Sequence, residues 1–154
     1  MVHYTLKPEN CGDFGRKVLY GGQLTDRPPA IYRLDFEFKS WPIDDLIEIN
    51  CTYIATEALI ACITALSPKA TGIFFDNFTS STTFEMRRDK PGQELPPLKW
   101  CKISGKPGID DFGMSKDHNL VVSERALLAT KPKLNRCIIE VYKADPAPSK
   151  DLKK

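Results

Sequence analysis

The stretch from Ile31 to Lys39 constrains the fold of this chain more than any other. Tyr32, Leu34, Phe36 and Phe38 alternate with Arg33, Asp35, Glu37 and Lys39. A strand, whose successive side chains point to opposite faces, is the conformation that gives such a set one apolar and one wet face. A half-apolar strand has to be covered, so the chain is expected to fold around a sheet with a packed face. Pro28-Pro29 closes the preceding loop and Trp41-Pro42 ends the strand, because proline cannot donate to a ladder.

Further elements follow from changes of period. Leu46 to Asn50 reads as a second short strand. The mainly apolar run Tyr53 to Leu66 is too short and too polar to span a bilayer and reads as core. Within it Leu59, Ile60, Cys62, Ile63 and Leu66 recur at helical spacing. Thr56 caps this helix, Ser67-Pro68 stops it, and deep burial is expected. Ile73-Phe74-Phe75 is a strand, Asp76 to Ser81 a turn, and Thr82 to Arg87 a strand with Thr82, Phe84 and Met86 on one side. Asp89 to Pro97 is a surface loop, Lys99 to Ile103 a short strand, and Gly105 to Gly108 a turn. Leu120-Val121-Val122 is a strand, Ser123 caps a short helix that Pro132 limits, and Cys137 to Tyr142 is the final strand.

The expected class is α+β: a mixed, mainly antiparallel sheet with two short helices in related strand-helix-strand units. Thr56-Glu57-Ala58-Leu59-Ile60-Ala61 and Ser123-Glu124-Arg125-Ala126-Leu127-Leu128-Ala129 share a hydroxyl cap, a glutamate and an Ala-Leu core once one residue is inserted. A repeat and the convergence of two capped, buried helices are equally open. At 154 residues the chain fits one domain. That domain is expected over residues 1–144, with 145–154 a flexible polar tail.

Composition excludes several functions. Hydrophobic content of 42% and charged content of 27% indicate neither disorder nor a membrane-embedded protein. A net charge of +2 is too weak to imply nucleic-acid binding. Cys11, Cys51, Cys62, Cys101 and Cys137 are odd in number and lack a C-x-x-C pair, which argues against a disulfide framework and a zinc site. Cys62 and Cys137 read as small core residues. The N-terminus has no basic start followed by an apolar stretch, so a cytoplasmic protein of a reducing compartment is expected.

No motif supplies a complete set for chemistry. Asp111-Phe112-Gly113 lacks the lysine, glycine loop and catalytic-loop residues that accompany this tripeptide in kinases, and with Asp110 it reads as a polar bend. Gly12-x-x-Gly15 and Gly21-Gly22 read as turns. Asp117-His118 offers a carboxylate and an imidazole without an orienting group, and His3 is placed near a mobile end. Ser123-Glu124-Arg125 reads as a helix cap without a base or oxyanion site. No catalytic residue, metal ligand or cofactor is assigned.

The segments Asp110-Asp111-Phe112-Gly113-Met114-Ser115-Lys116 and Leu120-Val121-Val122-Ser123-Glu124-Arg125-Ala126 resemble a pattern in bacterial immunity proteins of polymorphic toxin systems. The resemblance covers about the C-terminal third, with a fainter echo at Tyr53 to Phe75. It implies a cytoplasmic antidote that binds the toxin domain of a secreted effector and occludes its active site or a needed surface. Tryptophan and arginine commonly anchor interfaces, and charged loops tune recognition. The candidate contact residues are therefore Trp41, Arg87, Arg88, Trp100, Asp110, Asp111, Lys116, Asp117 and His118. The rival reading is a small enzyme or ligand-binding domain with a pocket near Asp111, Lys116 and His118.

Overall fold

The computed structural model describes residues 2–144; the expected tail, 145–154, lies outside the described residues. The strands are β1 (His3–Lys7), β2 (Gly12–Phe14), β3 (Leu19–Gly21), β4 (Ala30–Arg33), β5 (Asp35–Phe38), β6 (Leu46–Ile49), β7 (Thr52–Thr56), β8 (Ile73–Asp76), β9 (Thr79–Thr82), β10 (Leu98–Ile103), β11 (Phe112–Met114), β12 (Leu120–Ser123) and β13 (Ile138–Val141). The helices are α1 (Glu57–Thr64), α2 (Phe84–Asp89) and α3 (Glu124–Thr130), the last followed by a 3-10 turn at Lys131–Lys133. The fold is α+β with mostly antiparallel pairing, and it has three short helices where two were expected.

Two four-stranded sheets carry the architecture, one in the order β6-β7-β10-β8 and the other β11-β12-β1-β13. Both orders describe the same unit: a hairpin, a helix, a strand parallel to the hairpin's second strand, and an antiparallel strand inserted between those two. The correspondence holds residue by residue. Leu46 pairs with Ala55 as Phe112 pairs with Val122. Thr56 N–H donates to Asp45 O and Ser123 N–H to Asp111 O, each at 2.9 Å. Lys102 bridges Asp76 at 3.0 Å as Lys7 bridges Glu140 at 3.4 Å.

This register needs no inserted residue, which corrects the expected alignment: Leu59 corresponds to Ala126 and Ile63 to Thr130. Cap geometry sets it, since Thr56 Oγ1 accepts from Leu59 N–H and Ser123 Oγ from Ala126 N–H. The inserted strand of the second unit is β1, from the chain's start. His3 is accordingly buried in a central strand, 4% exposed and opposite Ser123, and does not sit at a mobile end.

One apolar core lies among the two sheets, α1 and α3, with Leu6, Tyr53, Leu59, Phe112, Val122 and Leu127 among its members. A second lies on the other face of the first sheet, where Leu34, Phe36 and Phe38 meet Ile47, Ile54, Met86 and Trp100. Strand β7 is therefore buried on both faces, which erases its alternation and hides it inside the run from Tyr53. Helix α1 buries one face through Leu59 and Ile63 and exposes Glu57, Ala58, Ala61 and Thr64, so it is amphipathic and not deeply buried.

The alternating segment 31–39 splits at Leu34 into β4 and β5. Leu34, Phe36 and Phe38 are fully buried as expected, but Tyr32 is 71% exposed and Asp35 only 6%. Residues 76–87 also depart from expectation. Thr79–Thr82 is a strand pairing parallel with β5, and Thr83 then caps a helix through Met86 N–H, so Thr82 to Arg87 is not one strand. A hydroxyl three residues before an N–H it accepts from is a cap signal, and it outweighs the two-residue pattern of Thr82, Phe84 and Met86. Gly12 and Gly21 lie in strands, not in turns. Cys62 and Cys137 are only partly buried, and of the two Cys137 packs at the core's margin.

Candidate functional site

The densest polar constellation is built where the second hairpin meets α3. Asp111 precedes β11, and the ladder to β12 brings it beside Ser123 and the first turn of α3. Its carboxylate, in a residue 7% exposed, accepts from Ser123 Oγ at 2.6 Å, Arg125 Nε at 2.9 Å, Arg125 Nη2 at 2.7 Å and Thr71 N–H at 3.0 Å. The two-pronged guanidinium contact is the strongest ordinary way to hold a carboxylate. These donors, led by Arg125, hold the Asp111 carboxyl well below the usual carboxylate range despite its burial, and Asp111 in turn raises Arg125.

Ser123 has both polar functions engaged, donating to Asp111 and accepting from Ala126 N–H. A hydroxyl so held, against a carboxylate already neutralised by arginine, is a structural clasp. The clasp is also interlocked between the units, because Thr71 follows α1 while Asp111 begins the other unit's hairpin. A reciprocal contact comes from Asp44, 2% exposed, which precedes β6. Its carboxylate accepts from the N–H groups of Asn135, Arg136 and Cys137, ahead of β13, at 2.6–2.9 Å. Each unit's leading acid thus fastens the loop after the other unit's helix.

Beside the clasp lies an open groove of about 350 Å³, lined by Thr71, Arg125 and the exposed Ile109 and Leu128. Neither Lys116 nor His118 lines it. Both sit at the hairpin's tip, where His118, at φ +63°, accepts from the Cys51 thiol at 3.6 Å through its carbonyl. The three residues expected to share a pocket are split between the two ends of one hairpin.

The remaining candidates also separate. Trp100 is 7% exposed and packs mostly in the second core, with the Lys102 ammonium 4.4 Å over its ring and an edge lining an open groove beside Pro28 and Ile31. Trp41 is half-buried against the same core. Asp110 accepts from Lys106 N–H at 2.7 Å and closes the 106–110 turn, while Lys116 and Asp117 are exposed. Arg87 and Arg88 are exposed on α2, Arg87 donating to Thr82 and Arg88 lying 6.0 Å over the exposed Phe84 ring.

Burial pushes the thiols of Cys11 and Cys101 up to about 12 and that of Cys137 to about 11, so these cysteines stay protonated at neutral pH. No group of three or more metal-ligating side chains occurs among the described residues. No helix among them is long and apolar enough to cross a membrane.

Sequence reasoning missed Arg125 as the partner of Asp111, and Asp44 altogether. Asp44 reaches residues 91 to 93 positions away, for which no local spacing gives a signal. It also missed the exposed tyrosines Tyr20 and Tyr32. No family model, curated protein or solved structure matches the chain.

Proposed function

We propose that this chain is an immunity protein that binds the toxin domain of a secreted effector and neutralises it by covering its active site or a needed surface. The observation that carries the reading is how the polar and aromatic side chains are distributed. Asp111, Ser123, Arg125 and Asp44 are engaged in fastening the fold. Tyr20, Tyr32, Arg87 and Arg88, of the residue types that carry most interface energy, stand exposed, as do Phe84 and other apolar side chains. This arrangement, a rigid frame presenting large side chains outward, suits an inhibitor acting by occlusion. The resemblance of residues 110–126 to immunity proteins points the same way.

The test is titration of the purified chain against the toxic C-terminal domain encoded beside its gene, together with co-expression of the two. Binding in the nanomolar range, about −12 kcal/mol, and survival of cells expressing the toxin are expected. A chain that neither binds nor protects refutes the reading.

A further inference from the structure

Residues 16–33 form a two-stranded ribbon that belongs to neither repeated unit. In the first unit the inserted strand, β10, runs on to the next hairpin through residues 104–111. The equivalent connection, from β1 to the hairpin of β6, takes residues 8–45 and contains the ribbon of β3 and β4. The ribbon exposes Leu19 (49%), Tyr20 (46%) and Tyr32 (71%), with the Tyr32 hydroxyl lying against Gly21 across the ladder.

Its charge is distinctive. Residues 16–33 hold Arg16, Lys17, Arg27 and Arg33 against one carboxylate in the same segment, Asp26, a net +3 in a chain whose total is +2, so the rest of the molecule carries −1; Arg27 also lies beside Glu48 and the Cys51 thiol. All four cations are on exposed residues. Asp26 is engaged locally, accepting from Gln23 N–H at 2.9 Å.

The ribbon is fixed at both ends. At its base the buried Asp35 accepts from Lys17 N–H at 3.0 Å and from Thr79 Oγ1 at 2.5 Å. At its tip the Asn50 amide donates to the carbonyls of Leu24 and Asp26 at 2.7 and 2.9 Å. Asn50 does so from φ +39°, a left-handed conformation that a non-glycine residue adopts at a cost. Open grooves of about 310 and 440 Å³ flank the ribbon, one lined by Pro28, Ile31 and Trp100, the other by Phe14, Leu24 and Ile49.

We infer that this ribbon is the docking surface and that it takes an acidic patch on the toxin domain, its tyrosines anchoring and its cations steering. The inference rests on the reading above. Pre-fixed tyrosines bury large area with little loss of side-chain freedom, and clustered charge of one sign accelerates approach to the opposite sign. A ridge between two grooves of mixed lining, with Thr52 and Lys102 in one and Asp13, Thr25 and Asn50 in the other, fits a protein surface better than the continuous cationic track that nucleic acid requires.

The experiment measures binding of the full chain to the neighbouring gene's toxin domain for the wild type, Tyr20→Ala, Tyr32→Ala and the Arg16→Glu/Arg33→Glu pair. Thermal midpoints are recorded alongside and should hold, because all four side chains are exposed. Each tyrosine variant is expected to weaken binding about 10- to 30-fold, mainly through faster dissociation. Charge reversal should slow association about tenfold at low salt, and the difference should shrink at high salt.

Wild-type binding with ribbon variants that bind equally well overturns the inference and leaves the immunity reading standing. Absence of wild-type binding refutes that reading and the inference with it. If an alanine variant loses its fold, the charge-reversal pair decides, since it removes no ring. Arg33-dependent binding of a single-stranded oligonucleotide, with toxin binding unchanged by the variants, also overturns the inference.

Discussion

Replacing Asp111 with asparagine tests the clasp directly. The carboxylate accepts two charge-assisted bonds from Arg125 and one each from Ser123 Oγ and Thr71 N–H. An asparagine keeps one accepting oxygen and turns an NH2 group toward donors, so two of these bonds are lost and a donor faces a donor. At about 1.5 kcal/mol per charge-assisted bond, discounted because the Arg125 side chain is 35% exposed, the cost is about 2–3 kcal/mol.

For a chain of this size that lowers the melting temperature by about 4–12 °C. The sign with pH follows from the direction of the shift. Asp111 is held below its unfolded value of 3.8, so its contribution is fully present above about pH 4 and is lost as pH falls toward its folded value. Urea unfolding of wild type and Asp111→Asn should therefore show the full gap at pH 7 and a narrowing gap below pH 4. A gap under about 0.5 kcal/mol at pH 7, or one that stays constant in acid, refutes the assignment.

Asp44→Asn should cost about 2–4 kcal/mol in the same assay, because the part-buried N–H groups of Asn135, Arg136 and Cys137 lose an acceptor with room for all of them, and the side chain that replaces it is buried. Gly72→Ala should cost at least about 2 kcal/mol: Gly72 sits at φ +85°, and a Cβ there collides with the Phe112 carbonyl and crowds Gly105. Cys11, Cys51 and Cys101, all under a tenth exposed, should resist an aromatic disulfide reagent at pH 8 until denaturant is added. Prompt modification of any of them in the native state contradicts that burial.

What could be read in the sequence was whatever local chemistry decides. Thr56 and Ser123 announced their helices because a cap is a contact between residues three apart. Leu34, Phe36 and Phe38 announced a packed face because strand geometry alternates within a few residues. Residues 79–89 were misread because β9 consists of Thr79, Ser80, Ser81 and Thr82. Such a strand has no apolar face of its own and exists by pairing in parallel with β5, 44 residues earlier. The site was legible only in its parts. Asp111 and Ser123 were both singled out, but their union depends on hairpin register, and Trp100 announces bulk without saying which side of a sheet receives it.

On the proposed reading, the repeated frame separates the residues that fasten the fold from those offered to a partner. Two units of like topology, each fastened to the other's helix-exit loop by a buried acid, form a closed scaffold. The ends of the described chain meet in one sheet, with β1 between β12 and β13. In such a scaffold a change at Asp44 or Asp111 is transmitted to both units, so the residues that fasten it are poorly placed to vary with a partner. Within the long connection between β1 and β6, residues 16–33 are free of that demand, since the equivalent connection from β10 to β11 closes with few residues. Surface that need not complete the frame can be shaped for binding. The tyrosines and cations of residues 16–33 lie there, held by Asn50 between β6 and β7 and by Asp35 of β5, whose Phe36 and Phe38 pack on the first sheet.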